Sequence, residues 1–234
     1  SENYDIDIID WKYFFMSKMV LNPRLSKKFV HWFKSQINSI MLTRKKCLVL
    51  DLDNTLWGGI LGEDGANGIK LGEDYPGNAF SDFQKSILKL KDSGIILSLC
   101  SKNNEEDVKE AWNKNPNILI KESDISCYRI NWRNKADNII EIADELNIGL
   151  DSMVFIDDNP TERELVKQNL SDVVVPDFPS QPYDLPNFVK NLINNYFQIY
   201  SLTQEDLNKT KQYKSNAQRA SLRKSFVDFN KYLK

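Results

Sequence analysis

The chain has 234 residues, with 31 Lys and Arg against 33 Asp and Glu, a formal net charge of -2 and 41% hydrophobic residues. This is the composition of a globular chain with a sizeable core in one or two domains, and its charge gives no global pull toward nucleic acid or anionic membranes. No apolar run approaches the roughly 20 residues of a membrane-spanning helix, SENYDIDIID has no signal-peptide pattern, and three cysteines without zinc spacing fit reduced thiols in a cytoplasmic protein.

In chain order, the cluster Trp11, Tyr13, Phe14 and Phe15 reads as packing. Helical spacing follows from Pro23 to Met41, through Leu25, Phe29, Trp32, Phe33, Ile37 and Ile40, and makes residues 1–43 a helical N-terminal extension. The middle, 44–182, alternates strand and helix. Strands are expected at 46–50, 95–100, 118–120, 153–156 and 173–175, and helices at 80–92, 104–114, 135–147 and 161–170. The third of these helices places Ala136, Ile139, Ile140, Ala143 and Leu146 on one stripe. The fourth opens on a capping box, Thr161 to Glu164, after Pro160. Beyond 183 the strand signal stops, and helices near 186–197 and 203–226 form a C-terminal extension. Such alternation predicts an α/β fold, a parallel sheet with helices on both faces.

In such sheets ligands bind beyond the carboxyl ends of the strands, where strand order reverses. Polar residues cluster at that edge. The first strand delivers Asp51 and Asp53, the second Ser101, Lys102 and Asn103, and the fourth Asp157 and Asp158. Four carboxylates in one crevice repel by about 4 kcal/mol per close pair at an intermediate dielectric. One lysine cannot balance that; a divalent cation can, and an all-oxygen site suits magnesium. Asp51 and Asp53, two apart on extended chain, can face one side. Asp51 then attacks phosphorus, Asp53 handles the proton, Ser101 with neighbouring polar groups holds phosphoryl oxygens, and Lys135 neutralises them.

These residues carry a resemblance. DLDNTLW, Ser101, Lys135 and FIDDNP are similar, in order, to the four motifs of the haloacid dehalogenase-like (HAD) superfamily. DLDNTLWGGILGEDG, CSKNNEEDV, INWRNKADNIIEIADELNI and VFIDDNPTERE resemble its FkbH-like branch, of subclass IIIC type, over residues 43 to 232. The resemblance implies a five-stranded Rossmann-like core, a small hairpin flap at 58–72 and no large inserted cap. It also implies magnesium on Asp51, the Asp53 carbonyl and an acid of the fourth motif, with Asp158 favoured as the direct ligand and Asp157 behind it.

Functionally it implies a magnesium-dependent phosphatase or phosphotransferase acting on a small phosphorylated metabolite. Members of this branch tied to polyketide and related pathways instead transfer a glyceryl group from a bisphosphoglycerate to an acyl carrier protein through a cysteine thioester. The cysteine expected between the motif aspartates is Leu52 here, and Cys47, Cys100 and Cys127 read as buried and unreactive. A non-catalytic partner-binding domain is the third reading. Among the remaining residues, Arg133 rivals Lys135 for the phosphate, Trp57 borders either substrate or flap, and Trp132 reads as packing. Thr55 supports the motif, His31 is structural, and Glu162 and Arg163 at a helix start read as surface residues, with reach into the site as the alternative.

Overall fold

The computed structural model describes residues 8–40 and 45–197, and the chain divides into two units, Ser1–Arg44 and Lys45–Lys234. In the first unit, α1 (Trp11–Ser17) starts where the Asp10 carboxylate accepts from the amides of Lys12 and Tyr13. A 3₁₀ turn at Pro23–Leu25 then leads into α2 (Ser26–Ile40). The rings of Trp11, Phe14 and Phe15 pack on one another with centroids 5.4–6.1 Å apart. Trp11, Tyr13 and Phe15 are nonetheless exposed.

The second unit is built on four parallel strands, β1 (Cys47–Leu50), β2 (Ile96–Ser101), β3 (Cys127–Ile130) and β4 (Met153–Ile156), in the order β3-β2-β1-β4. The helices between and directly after them are α3 (Leu61–Asp64), α4 (Gly77–Asp92), α5 (Glu105–Lys114), α6 (Lys135–Leu146) and, after β4, α7 (Pro160–Asn169). After the sheet, α8 (Leu185–Leu192) runs into a π turn, Ile193–Phe197. The helix expected at 203–226 lies outside the described residues.

Alternate side chains of the strands enter two cores, as a sheet covered on both faces requires. Leu48, Leu50, Leu97, Leu99, Val154 and Ile156 face the core shared with α4, α5 and α8. Cys47, Val49, Ile96, Cys100, Met153 and Phe155 face the core shared with α6 and α7. The chain leaves β1 toward β2 and β3, then returns to the far side of β1 as β4. Strand order therefore reverses between β1 and β4, the place where a crevice opens at the carboxyl edge.

Several details depart from the sequence reading. The sheet has four strands, not five: the segment at 173–175 contributes one parallel bridge, Val174 to Val154. The third strand is 127–130 rather than 118–120. Ile118 and Ile120 are buried, but the amides of Leu119 and Ile120 both donate to Gln84 Oε1, at 2.8 and 3.0 Å, and so need no strand partner. On α6 the buried stripe takes Ile142 in place of Ile140, which is exposed. No Thr161 to Glu164 capping box opens α7; Asn159 caps it, accepting from Thr161 N, with Pro160 as the first helical residue.

Candidate active site

Asp51 follows β1, and its amide still donates to Ile156 O of the neighbouring strand at 2.9 Å. That bond extends the β1–β4 ladder by one step and brings Asp51 beside Asp157 and Asp158, which follow β4. Oxygens of the three carboxylates lie within 4.8 Å of one another. Asp158 N donates to Thr55 Oγ1 at 3.1 Å, tying the loop after β4 to the loop after β1.

Lys135, the first residue of α6, is only 3% exposed. Its ammonium donates to Asp51 Oδ1 at 2.8 Å and to Asp157 Oδ2 at 2.5 Å. Burial alone would lower its pKa, but the charges of Asp51 and Asp157 outweigh burial and raise it. The rival, Arg133, is exposed and pairs with Glu141 at 2.7 Å instead. Burial, followed by the charges of Asp51 and Asp157, pushes Asp158 up to about 6. Asp157 is raised by burial and by Asp51, against the pull of Lys135.

Asp53 is held by three donors. Its Oδ1 accepts from Trp57 Nε1 and from Leu61 N, each at 3.0 Å, and its Oδ2 accepts from Asn103 Nδ2 at 3.0 Å. Burial still raises its pKa, in spite of those bonds. Trp57 lies four residues on, across a turn whose Asn54 takes a left-handed φ of 52°, a conformation that Asn tolerates well. The segment after it is a hairpin closed by the Gly58–Lys70 bridge and containing the single turn of α3. Gly59 belongs there because its φ is +97° and a Cβ would lie 2.3 Å from Asp64 Oδ2, the oxygen that accepts from Ile60 N.

Ser101 ends β2, buried, with its hydroxyl accepting from Asn103 Nδ2 at 3.3 Å. Lys102 turns away to Glu162 at 2.6 Å. The fold thus brings Asp51, Asp53, Ser101, Asn103, Lys135, Asp157 and Asp158 to one edge, while Lys102 engages a neighbouring acid. Trp57, given two equal readings in the sequence, is buried and bonded to Asp53; its spacing of four from that residue was the available signal. Trp132 does not pack: it is exposed, with its indole N–H on Asn104 Oδ1 at 3.0 Å. The arrangement supplies two acids in different settings, one buried ammonium and an all-oxygen cluster.

Residues 46–187 match the NLI interacting factor-like phosphatase family. A crystal structure of the N-terminal part of a Bacteroides fragilis protein, containing a phosphatase domain complexed with Mg, is 42% identical with a TM-score of 0.71. The likeness covers 83% of this chain and 51% of that one, so the chain spans about half of that structure's length. The HAD domain of the Legionella pneumophila effector protein Lem4 is 14% identical over 65% of this chain and 94% of its own, at a TM-score of 0.44. A HAD-superfamily hydrolase of subfamily IA from Geobacter sulfurreducens is 11% identical over 62% and 99%, at 0.43. Neither bears on the site. No curated protein matches the chain.

Proposed function

This chain belongs to the NLI interacting factor-like phosphatase family, and from that membership we propose a HAD-type phosphohydrolase that works through an aspartyl-phosphate on Asp51. The observation that supports this most directly is the buried Lys135 ammonium reaching Asp51 and Asp157 at once, with Asp158 in the same cluster. An oxygen of Asp51 attacks phosphorus while the ester P–O bond breaks, and Asp53 gives its proton to the leaving oxygen. Asp53 then takes a proton from water, which attacks the aspartyl-phosphate, frees inorganic phosphate and restores Asp51. The raised pKa of Asp53 suits a group that must hold a proton before giving it up. Ser101 and Asn103 border the phosphoryl oxygens, and Lys135 offsets their charge.

The cluster fits magnesium. Three carboxylates against one ammonium leave two negative charges uncompensated, and burial together with the charges of Asp51 and Asp157 pushes Asp158 up to about 6. An all-oxygen donor set of this kind suits that ion, and the Bacteroides fragilis structure contains it. Asp51, Asp158 and the Asp53 carbonyl would hold it, with Asp157 kept behind by Lys135. When bound, it supplies charge neutralisation to the phosphoryl oxygens.

We read the substrate as a small phosphorylated metabolite, with unpaired cysteines fitting a cytoplasmic setting. The FkbH-like acyl-transfer reading, with its carrier-protein partner, finds no accessible thiol among the described residues. Leu52 is buried, and burial pushes Cys100 and Cys127 up to about 12. A purely partner-binding domain would not need this complete set of charged groups. Asp51→Asn should cut magnesium-dependent phosphate release at least about a thousandfold with the fold intact. Undiminished turnover would reject the nucleophile and the mechanism with it.

A further inference from the structure

A cavity of about 390 Å³ has Asp158 in its lining and otherwise lies outside the groups assigned to the phosphoryl chemistry. Its polar lining includes Asn54, Asp158 and Arg163, and its apolar lining is formed by Phe80, Phe178 and Leu185 with three prolines. That apolar wall is built into the fold. Phe178 packs edge-on against Phe83 and Phe188, at 6.2 and 5.3 Å between centroids.

Arg163 is the cation of this space. Its Nη1 donates to the main-chain carbonyls of Asp157 at 2.8 Å and Asp158 at 2.6 Å, which fixes the guanidinium beside the acidic cluster. Neither Nε nor Nη2 has a partner among the described residues. Glu162, the neighbouring acid, pairs with Lys102. A half-buried guanidinium held by one nitrogen offers its remaining edge as a planar fork. Such a fork matches a carboxylate bidentately. A single positive charge between an acidic cluster and an aromatic wall balances a monoanion better than a second dianion.

We propose that this cavity is a leaving-group subsite and that it takes a carboxylate attached to an apolar body. The substrate would then be a phosphate monoester of a hydroxy acid, phosphate on Asp51 and carboxylate on Arg163. This rests on the phosphohydrolase reading for the identity of the ligand, but its test needs no turnover.

Calorimetric titration with benzylphosphonate and with 4-(phosphonomethyl)benzoate, in magnesium buffer, compares two non-hydrolysable ligands differing by one carboxylate. The wild type should bind the carboxylated ligand at least about tenfold more tightly. Arg163→Met should erase that preference, and Arg163→Lys, which keeps the charge and loses the fork, should leave only part of it. Ser180→Trp, on the lining of the cavity, should weaken both ligands by taking up its volume and leaves Arg163 unsubstituted, so it serves if the arginine variants fail to fold. No preference in the wild type, a preference that survives Arg163→Met, or Ser180→Trp binding both ligands as the wild type does would each overturn the subsite. Absence of phosphate release from every ester tried would sink the phosphohydrolase reading alone and leave the titrations interpretable.

Discussion

Replacing Lys135 by Met removes the ammonium and keeps most of the side-chain volume. Lys135 is buried between Asp51 at 2.8 Å and Asp157 at 2.5 Å, so the substitution leaves both acids, and Asp158 near them, facing one another without a counter-charge. Each close attraction is of order 4 kcal/mol at an effective dielectric of 20, and desolvating the ammonium offsets much of the total. Removing one partner of a buried pair costs about 3–5 kcal/mol in practice. For a unit of this size that lowers the melting temperature by about 6–20 °C. Urea unfolding followed by circular dichroism, in chelator and in millimolar magnesium, measures the effect. The variant should be destabilised by the full amount in chelator and should gain more from magnesium than the wild type does, because three uncompensated carboxylates bind a dication more strongly than three with a lysine. A loss under about 1 kcal/mol in chelator would show that the lysine does not hold the cluster together. A magnesium gain no larger than the wild type's would show that the cluster is not where the ion binds.

The other expected outcomes concern the supports of the site and the core. Trp57→Phe keeps an aromatic ring in the core and deletes the N–H that donates to Asp53 Oδ1; turnover of p-nitrophenyl phosphate should fall about tenfold, a loss of one oriented hydrogen bond to a charged group, with melting lowered modestly by the lost ring volume. Equal turnover would mean that Leu61 N and Asn103 suffice to orient Asp53. Gln84→Leu strands Leu56 O and the amides of Leu119 and Ile120 in the core; urea denaturation should show a loss of about 2–4 kcal/mol, and a loss below 1 would mean that water replaces the amide. Burial pushes the Cys47 thiol up to about 12, from 9.0, so it should resist Ellman's reagent in native protein at pH 8 and react once unfolded. Because the folded pKa is the higher one, the stability linked to this thiol is fully present below pH 9 and is lost as pH rises toward 12. Alkaline unfolding that begins no earlier in wild type than in Cys47→Ala would contradict that sign.

The sheet's two central strands and β4 were legible because each is an apolar run ending in polar residues, the pattern of a doubly covered parallel strand. β3 was not. It lies at the sheet's edge and carries Arg129 in its middle, held by Glu141 and Glu145 at 2.8 Å each, so its sequence lacks the apolar signature. The run at 118–120 has that signature without the structure, since a glutamine 35 positions away does the hydrogen bonding of a strand partner. At the site, the acidic pairs, Ser101 and Lys135 could be read from spacing because strand ends converge by topology alone. The Leu61 amide as a donor to Asp53 and the seat of the Arg163 guanidinium could not. Their partners are set by side-chain directions in a turn and by main-chain carbonyls, and neither leaves a mark in the order of residues.

The tips of β1 and β4 are joined by protein atoms alone, through the amide of Asp51 on Ile156 and the amide of Asp158 on Thr55. Folding has therefore already met the entropic cost of gathering the carboxylates, and an arriving ion finds its seat assembled. Chelation should therefore shift the unfolding transition by mass action without abolishing it, because the protein-to-protein bonds that gather the carboxylates stay in place.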